Sequence, residues 1–183
     1  MLKSIGMVEY NSVARGIFAS DQMVKTSNVD IVTATTICPG KYITIVHGNV
    51  AEVESALRAG VDAAGEFLVD STIISNVHPD VFPAIVSATM PERVDALGIL
   101  ESYSLSAMVI AADRVLKTAE LAAIELRLGT GLGGKAFFTF TGSVAAVERG
   151  IEVGRETIGS ERGLLINAEV IPAPSQEIIK NLF

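Results

Sequence analysis

Ile5-Gly-Met-Val-Glu-Tyr-Asn-Ser12 returns as Leu97-Gly-Ile-Leu-Glu-Ser-Tyr-Ser104, 92 residues later. Gly6 falls on Gly98, Glu9 on Glu101 and Ser12 on Ser104, and the likeness runs outward from there. Ser20-Asp-Gln-Met-Val-Lys-Thr26 matches Ala112-Asp-Arg-Val-Leu-Lys-Thr118 at the same offset. Two inserted residues then move the offset to 94, where Gly40-Lys41 falls on Gly134-Lys135, His47-Gly-Asn-Val-Ala-Glu-Val-Glu54 on Thr141-Gly-Ser-Val-Ala-Ala-Val-Glu148, and Gly60 on Gly154. The chain is therefore one supersecondary unit written twice. A strand running into Val77-His-Pro or Val170-Ile-Pro closes each copy, and Asp80 to Asp95 joins them. The expected domains are residues 1–92, joining segment included, and 93–183.

Each copy reads as strand, helix, strand, strand, helix, strand. Lys135-Ala-Phe-Phe-Thr-Phe-Thr141 alternates plainly and Lys41-Tyr-Ile-Thr-Ile-Val-His47 more weakly, while Val29 to Ile37 and Leu68 to Val77 are β-branched runs. The second helix shows its period at Val50, Val53, Leu57, Val61 and Ala64, and again at Val144, Val147, Ile151, Gly154 and Ile158. Asn49 and Ser143 stand at N-cap positions. The economical architecture is α+β: two tandem βαββαβ ferredoxin-like units, each a four-stranded antiparallel sheet with helices on one face.

The 183 residues carry 14 basic and 21 acidic side chains, a net charge of -7, with 49% hydrophobic residues and no Trp. An acidic chain without a basic tract argues against nucleic acid or an anionic membrane as the main partner. Mean hydropathy is +0.45, yet charge-free windows such as Ser102 to Ala112 fall short of the roughly 18 apolar residues a spanning helix needs. The expectation is a soluble protein whose surplus Ala, Val and Ile are covered at oligomer interfaces. One cysteine, Cys38, allows no intrachain disulfide, and Glu9 sits where a secretory leader would be apolar, so the cytoplasm is the default.

Several motifs invite a chemical reading. Gly129-Thr-Gly-Leu-Gly-Gly-Lys135 satisfies a dinucleotide signature and most of a phosphate-loop signature. Both need a helix directly afterwards to hold the anion, whereas Ala136-Phe-Phe-Thr-Phe-Thr reads as strand, and Ala136 lacks the magnesium-binding hydroxyl. A glycine-rich connection between strands is the better reading. Cys38 and His47 are separated by nine residues of mostly extended chain, about 30 Å, too far to share a metal within one subunit. His47 and His78 suggest no triad, and Glu52 with Glu54, or Glu120 with Glu125, read as solvated positions. Cys38 is different: it sits in Ile37-Cys-Pro-Gly-Lys41, where Pro39 stiffens the connection and Gly40 lets backbone approach closely, so the thiol is presented. A free cysteine packed as a small hydrophobe is the alternative.

These residues resemble the tandem-domain shell proteins of bacterial microcompartments. The carriers are the Ile5-Gly-Met-Val-Glu9 and Leu97-Gly-Ile-Leu-Glu101 openings, the Met23-Val-Lys-Thr-Ser-Asn-Val29 and Val115-Leu-Lys-Thr-Ala-Glu-Leu121 segments, the Ile37 to Lys41 loop and the two second-helix starts. The likeness spans nearly the whole chain and is greatest to members with a cluster-binding loop cysteine. It implies a homotrimer imitating a hexagonal tile in a shell within the cytoplasm, packed against other shell proteins, with a redox enzyme as a further partner. It also implies a 4Fe-4S cluster on the threefold axis, ligated by Cys38 from each subunit. Ile37, Pro39, Gly40, Gly131, Leu132, Gly133 and Gly134 would form the loops around a central pore. Lys25 and Lys117 match the lysine that lies along tile edges. Such domains often end in Pro-Arg-Pro-His, but here the segments read Val77-His-Pro-Asp and Ile171-Pro-Ala-Pro, without the arginine. One thiol does not hold a cubane; threefold symmetry makes three from one and leaves the fourth iron to a non-protein ligand or a partner residue. Two other readings stand beside this one, a tile with a metabolite-conducting pore and no cluster, and a small-ligand sensor or enzyme on repeated ferredoxin-like units. The last would need a catalytic constellation, and none is legible.

Overall fold

A computed structural model describes residues 4–86, 89, 91–159 and 163–182. It divides into two compact units, residues 1–77 and 78–183. The first runs β1 (Ser4–Tyr10), α1 (Val13–Thr26), β2 (Asp30–Ile37), β3 (Lys41–Gly48), α2 (Val50–Ala64) and β4 (Leu68–Ile74). The second opens with α3 (Val81–Val86) and continues β5 (Ala96–Ser102), α4 (Leu105–Leu116), β6 (Ala122–Leu128), β7 (Ala136–Gly142), α5 (Val144–Gly159), β8 (Leu165–Ile171) and α6 (Gln176–Ile179). The sheets are antiparallel, in the orders β2-β3-β1-β4 and β6-β7-β5-β8. This is the expected pair of ferredoxin-like units.

Duplication extends to irregularities that no propensity dictates. Register shifts between Ile31 and Thr33 on β2 and again, 92 residues on, between Ala123 and Glu125 on β6. A second shift at Glu9/Tyr10 repeats at Glu101/Ser102. Bulges set local twist and aim an edge, so their repetition means that both sheets present edges of the same shape.

In the first unit Gly6, Val8 and Tyr10 of β1 share a face with Val46, Thr44 and Tyr42 of β3. Both helices lie on that face: Ser20 on α1 hydrogen-bonds Thr44 at 2.6 Å, and a Cβ at Gly6 would meet Val53 on α2 at 2.8 Å. Val8, Tyr10, Met23, Val46, Val53 and Ala56 form the core between. The second unit repeats the plan with larger side chains. Phe138 and Phe140 alternate inward on β7 with ring centroids 5.1 Å apart, and Phe140 packs where a Cβ on Gly150 would meet it at 2.8 Å. Ser12 and Ser104 cap α1 and α4, accepting from the N–H groups of Arg15 and Ala107. Ser143 accepts from Ala146 N–H, and the Asn49 N–H donates to Glu52, as the N-cap positions require.

Three features differ from the sequence reading. The closing strands do not align through Val77-His-Pro and Val170-Ile-Pro: Leu68 pairs with Tyr10 and Leu165 with Ser102, which puts β4 and β8 at an offset of 97. β4 stops at Ile74, and Asn76 turns away with φ of 54°. The joining segment, placed with the first domain on sequence, makes its described hydrogen bonds to the second. His78 N–H donates to Asp113 at 2.8 Å, and Thr89 donates its N–H to the Ile124 carbonyl at 2.7 Å and its hydroxyl to the Ala123 carbonyl. That segment also holds α3, six residues too few to show a period, with Pro83 in the first turn where its missing N–H costs nothing. Among the described residues no helix is long and apolar enough to cross a membrane.

Candidate functional site

The two connections singled out in the sequence occupy equivalent places, between β2 and β3 and between β6 and β7. In the first, Ile37 is buried, Cys38 half-buried, and Pro39 and Gly40 are exposed. The Cys38–Pro39 peptide is cis, and Gly40 takes φ of 71° with nothing near where a Cβ would stand. In the second, Gly129, Gly131, Gly133 and Gly134 all take positive φ. Only glycine does so cheaply, which accounts for the glycine run without any phosphate. Lys135 N–H donates to Leu132 O, closing the turn, and β7 begins at Ala136, so a strand and not a helix follows the loop. Leu132, half-buried, stands where the first copy has Cys38.

The base of each loop is tied down by an ion pair. Lys41 donates to Glu9 at 2.5 Å, and Lys135 to Glu101 at 2.6 Å. The glutamate lies on the first strand of its unit and the lysine directly follows the loop, so both loops leave their sheets from a fixed point. The pairs differ in solvent exposure: the Glu9 side chain is 5% exposed and the Glu101 side chain 33%. The Glu101 hydrogen bond raises the Lys135 ammonium above its ordinary range. Sequence reasoning aligned these four residues across the copies but gave them no role; a charge at the same place in both repeats was the available signal.

The model for the family described as BMC domain matches residues 4–77 and 96–174. The chain belongs to the BMC-domain family. Its two BMC domains coincide with the two sheets. The chain is 36% identical over 182 residues to the bacterial microcompartment shell protein PduT of Citrobacter freundii, covering 100% of this chain and 98% of that protein. It is 32% identical to the carboxysome assembly protein CcmO of Synechocystis sp., covering 89% of this chain and 60% of that protein. A crystal structure of a microcompartment protein from Desulfitobacterium hafniense superposes with a TM-score of 0.92 at 44% identity, covering 98% and 99% of the two chains. The tandem-domain shell-protein resemblance read from the repeats therefore holds.

Within the BMC domains the remaining sequence candidates separate. Lys25, in the last turn of α1, is exposed and paired at 2.5 Å with the exposed Asp21. Lys117 caps α4 and is paired at 2.7 Å with Asp113, which is buried and also accepts the His78 N–H. Both lysines are exposed and differ in their partners: Asp21 is open to solvent, whereas Asp113 is buried and also holds His78. By strand register, Asn76 and Ala173 each lie two residues beyond the last strand, and neither supplies an arginine.

Cys38 and His47 lie at opposite ends of the β2-β3 pair, since Ile37 pairs with Lys41 and Asp30 with His47. This agrees with the exclusion of a metal shared by them. His78 accepts the Asp80 N–H on Nδ1. Glu52 serves the α2 N-terminus and Glu125 pairs with Arg127. Among the described residues no three His, Cys, Asp or Glu side chains gather into a metal site. One chain therefore offers a cluster a single loop thiol, and the donor set fits a cubane only when symmetric copies bring their Cys38 residues together.

Proposed function

We propose that this chain is a structural shell protein of a bacterial microcompartment, acting in the cytoplasm as one third of a pseudohexameric tile. The observation that carries it is an inequality between equivalent helices. On α1, Ile17 is 54% exposed, with Phe18 and Val24 also open; on α4 the counterparts of Ile17 and Val24, Val109 and Leu116, are buried, and that of Phe18, Ile110, is half-buried. A repeated sequence with one covered and one uncovered apolar face is what a ring needs, because a heterologous contact closes when a further copy covers the open one. Three chains of 19.2 kDa present six quasi-equivalent domains. Light scattering should return a trimer; a monomer at micromolar concentration would overturn the reading. The role is structural rather than catalytic, and other shell proteins are the partners along the tile edge.

The tile would carry a 4Fe-4S cluster on its axis, held by Cys38 of each chain, with Pro39 and Gly40 shaping the collar. Support comes from the loop: the thiol is half-buried between a buried Ile37 and two exposed residues, on a base pinned by Lys41 and Glu9. The bound cluster would supply one-electron chemistry for transfer across the shell or for cluster exchange. The chain's part is to bring three thiols to one point, and metal removes the repulsion among their thiolates. Anaerobic reconstitution should give about four irons per three chains. Cys38→Ser should lose iron, sulfide and visible absorption together while staying trimeric. Full iron content in that variant would reject the site; a trimer that takes up no iron would leave the opening as a pore for small metabolites.

A further inference from the structure

Among the described residues, one short helix follows a closing strand and packs on a sheet edge. After β4 the chain forms α3, which packs on β6, the edge strand of the second sheet. Val81 and Ala84 are buried there, and Thr89 meets the outer Ala123 and Ile124 carbonyls. An exposed edge is a template for association, and this one is covered.

The second copy also has a short helix after its closing strand, α6, and there the cover is missing. Strand register puts β8 97 residues after β4, so Val81, Phe82 and Ile85 fall on Ile178, Ile179 and Leu182. Val81, Phe82 and Ile85 keep apolar counterparts while the buried Ala84 falls on Asn181; none of the α6 residues is buried, and Ile178 is 51% exposed where Val81 is fully covered. The edge equivalent to β6 is β2, whose Ile31 and Val32 stand where β6 has Ala123 and Ile124. Both edges carry the bulge at the same place, and Ile31 is exposed.

We propose that α6 of one chain docks on the β2 edge of a second copy of this chain, seating Ile178 against Ile31 and Val32 as α3, with Val81 buried, packs on β6. The inference rests on the trimer reading above and names a contact that would close it. It makes the C-terminal helix a clasp, and it gives both edges equivalent covers, one supplied in the same chain and one by a neighbour.

The test uses the full chain in a Cys38→Ser background, with two differently tagged chains co-expressed. One carries Ile31→Cys and the other Ile178→Cys, and a short bismaleimide is added to the assembled protein. A cross-linked product bearing both tags is expected, and chains carrying Pro83→Cys with Ala122→Cys, two accessible residues lining one cleft, should cross-link within a single chain as the reference. Independently, Ile178→Asp should move the midpoint of trimer dissociation to about tenfold higher concentration or more, by removing an apolar contact and burying a charge. Trimers that are intact by light scattering but give neither the mixed product nor the shift would overturn the clasp and leave the trimer standing. Monomeric protein would overturn both.

Discussion

Lys41→Met and Lys135→Met remove the same residue from the two copies, and the structure expects very different results. Glu9 is 5% exposed and Lys41 is its ion-pair partner at 2.5 Å. Without the lysine a carboxylate remains out of water and unpaired, which costs about 3 to 5 kcal/mol. A chain of this size loses about 2 to 4 °C of melting temperature per kcal/mol, so the first unit should melt roughly 6 to 20 °C lower. Glu101 is 33% exposed, and water takes the place of Lys135, so Lys135→Met should melt close to the parent. Glu9→Gln with Lys41→Met should recover part of the loss, because removing both charges leaves no orphaned ion. With no Trp in the chain, far-UV circular dichroism is the suitable probe. Protein concentration must be held constant, since an oligomer's midpoint depends on it. Equal losses at the two lysines, or a double variant as unstable as Lys41→Met, would refute the claim that burial separates the pairs.

Lys25→Asp should abolish sheets or tubes in electron micrographs while trimers persist, whereas Lys117→Asp should lower stability, because it sets a second carboxylate beside the buried Asp113; micrographs and melting curves that respond alike to both would contradict their assigned settings. Burial pushes the Tyr10 phenol up to about 12. The unfolded chain therefore loses this proton first, and the folded state's advantage falls as pH rises from about 10 to about 12. Tyr10→Phe should lose less stability over that interval in urea titrations, and an unchanged alkaline slope would remove the assignment. A Cβ at Gly16 would lie 2.6 Å from the Tyr42 Cβ, which the β3 backbone holds, so Gly16→Ala should cost about 1 to 3 kcal/mol by overpacking; a neutral denaturant midpoint would show that α1 shifts freely.

The place and backbone character of the loops are legible because their determinants are local. Pro39 and Gly40 follow Cys38 directly, and the strand after the second loop already excluded a phosphate site. The ion pairs at the loop bases were not legible: Glu9 and Lys41 are separated by 32 residues and meet only because β1 pairs with β3. The offset of the closing strands is hidden from the sequence for a related reason. A closing strand with an apolar run has no unique register of its own, so Val-His-Pro resembles Val-Ile-Pro without being its equivalent; pairing with β1 and β5 decides the register through the backbone hydrogen bonds.

The amino-acid sequence by itself determined the twofold plan, the βαββαβ order, the helix caps and the place of the lone thiol, because repeated identities, hydrophobic period and Pro-Gly chemistry act within a few residues. Tertiary structure alone decided how equivalent positions diverge. Glu9 and Glu101, Ile17 and Val109, and Ile178 and Val81 are matched in the repeat, yet one of each pair is more open to solvent than the other. Exposure depends on what packs against a residue from distant parts of the chain, and a duplicated sequence does not encode equal surroundings for its two copies.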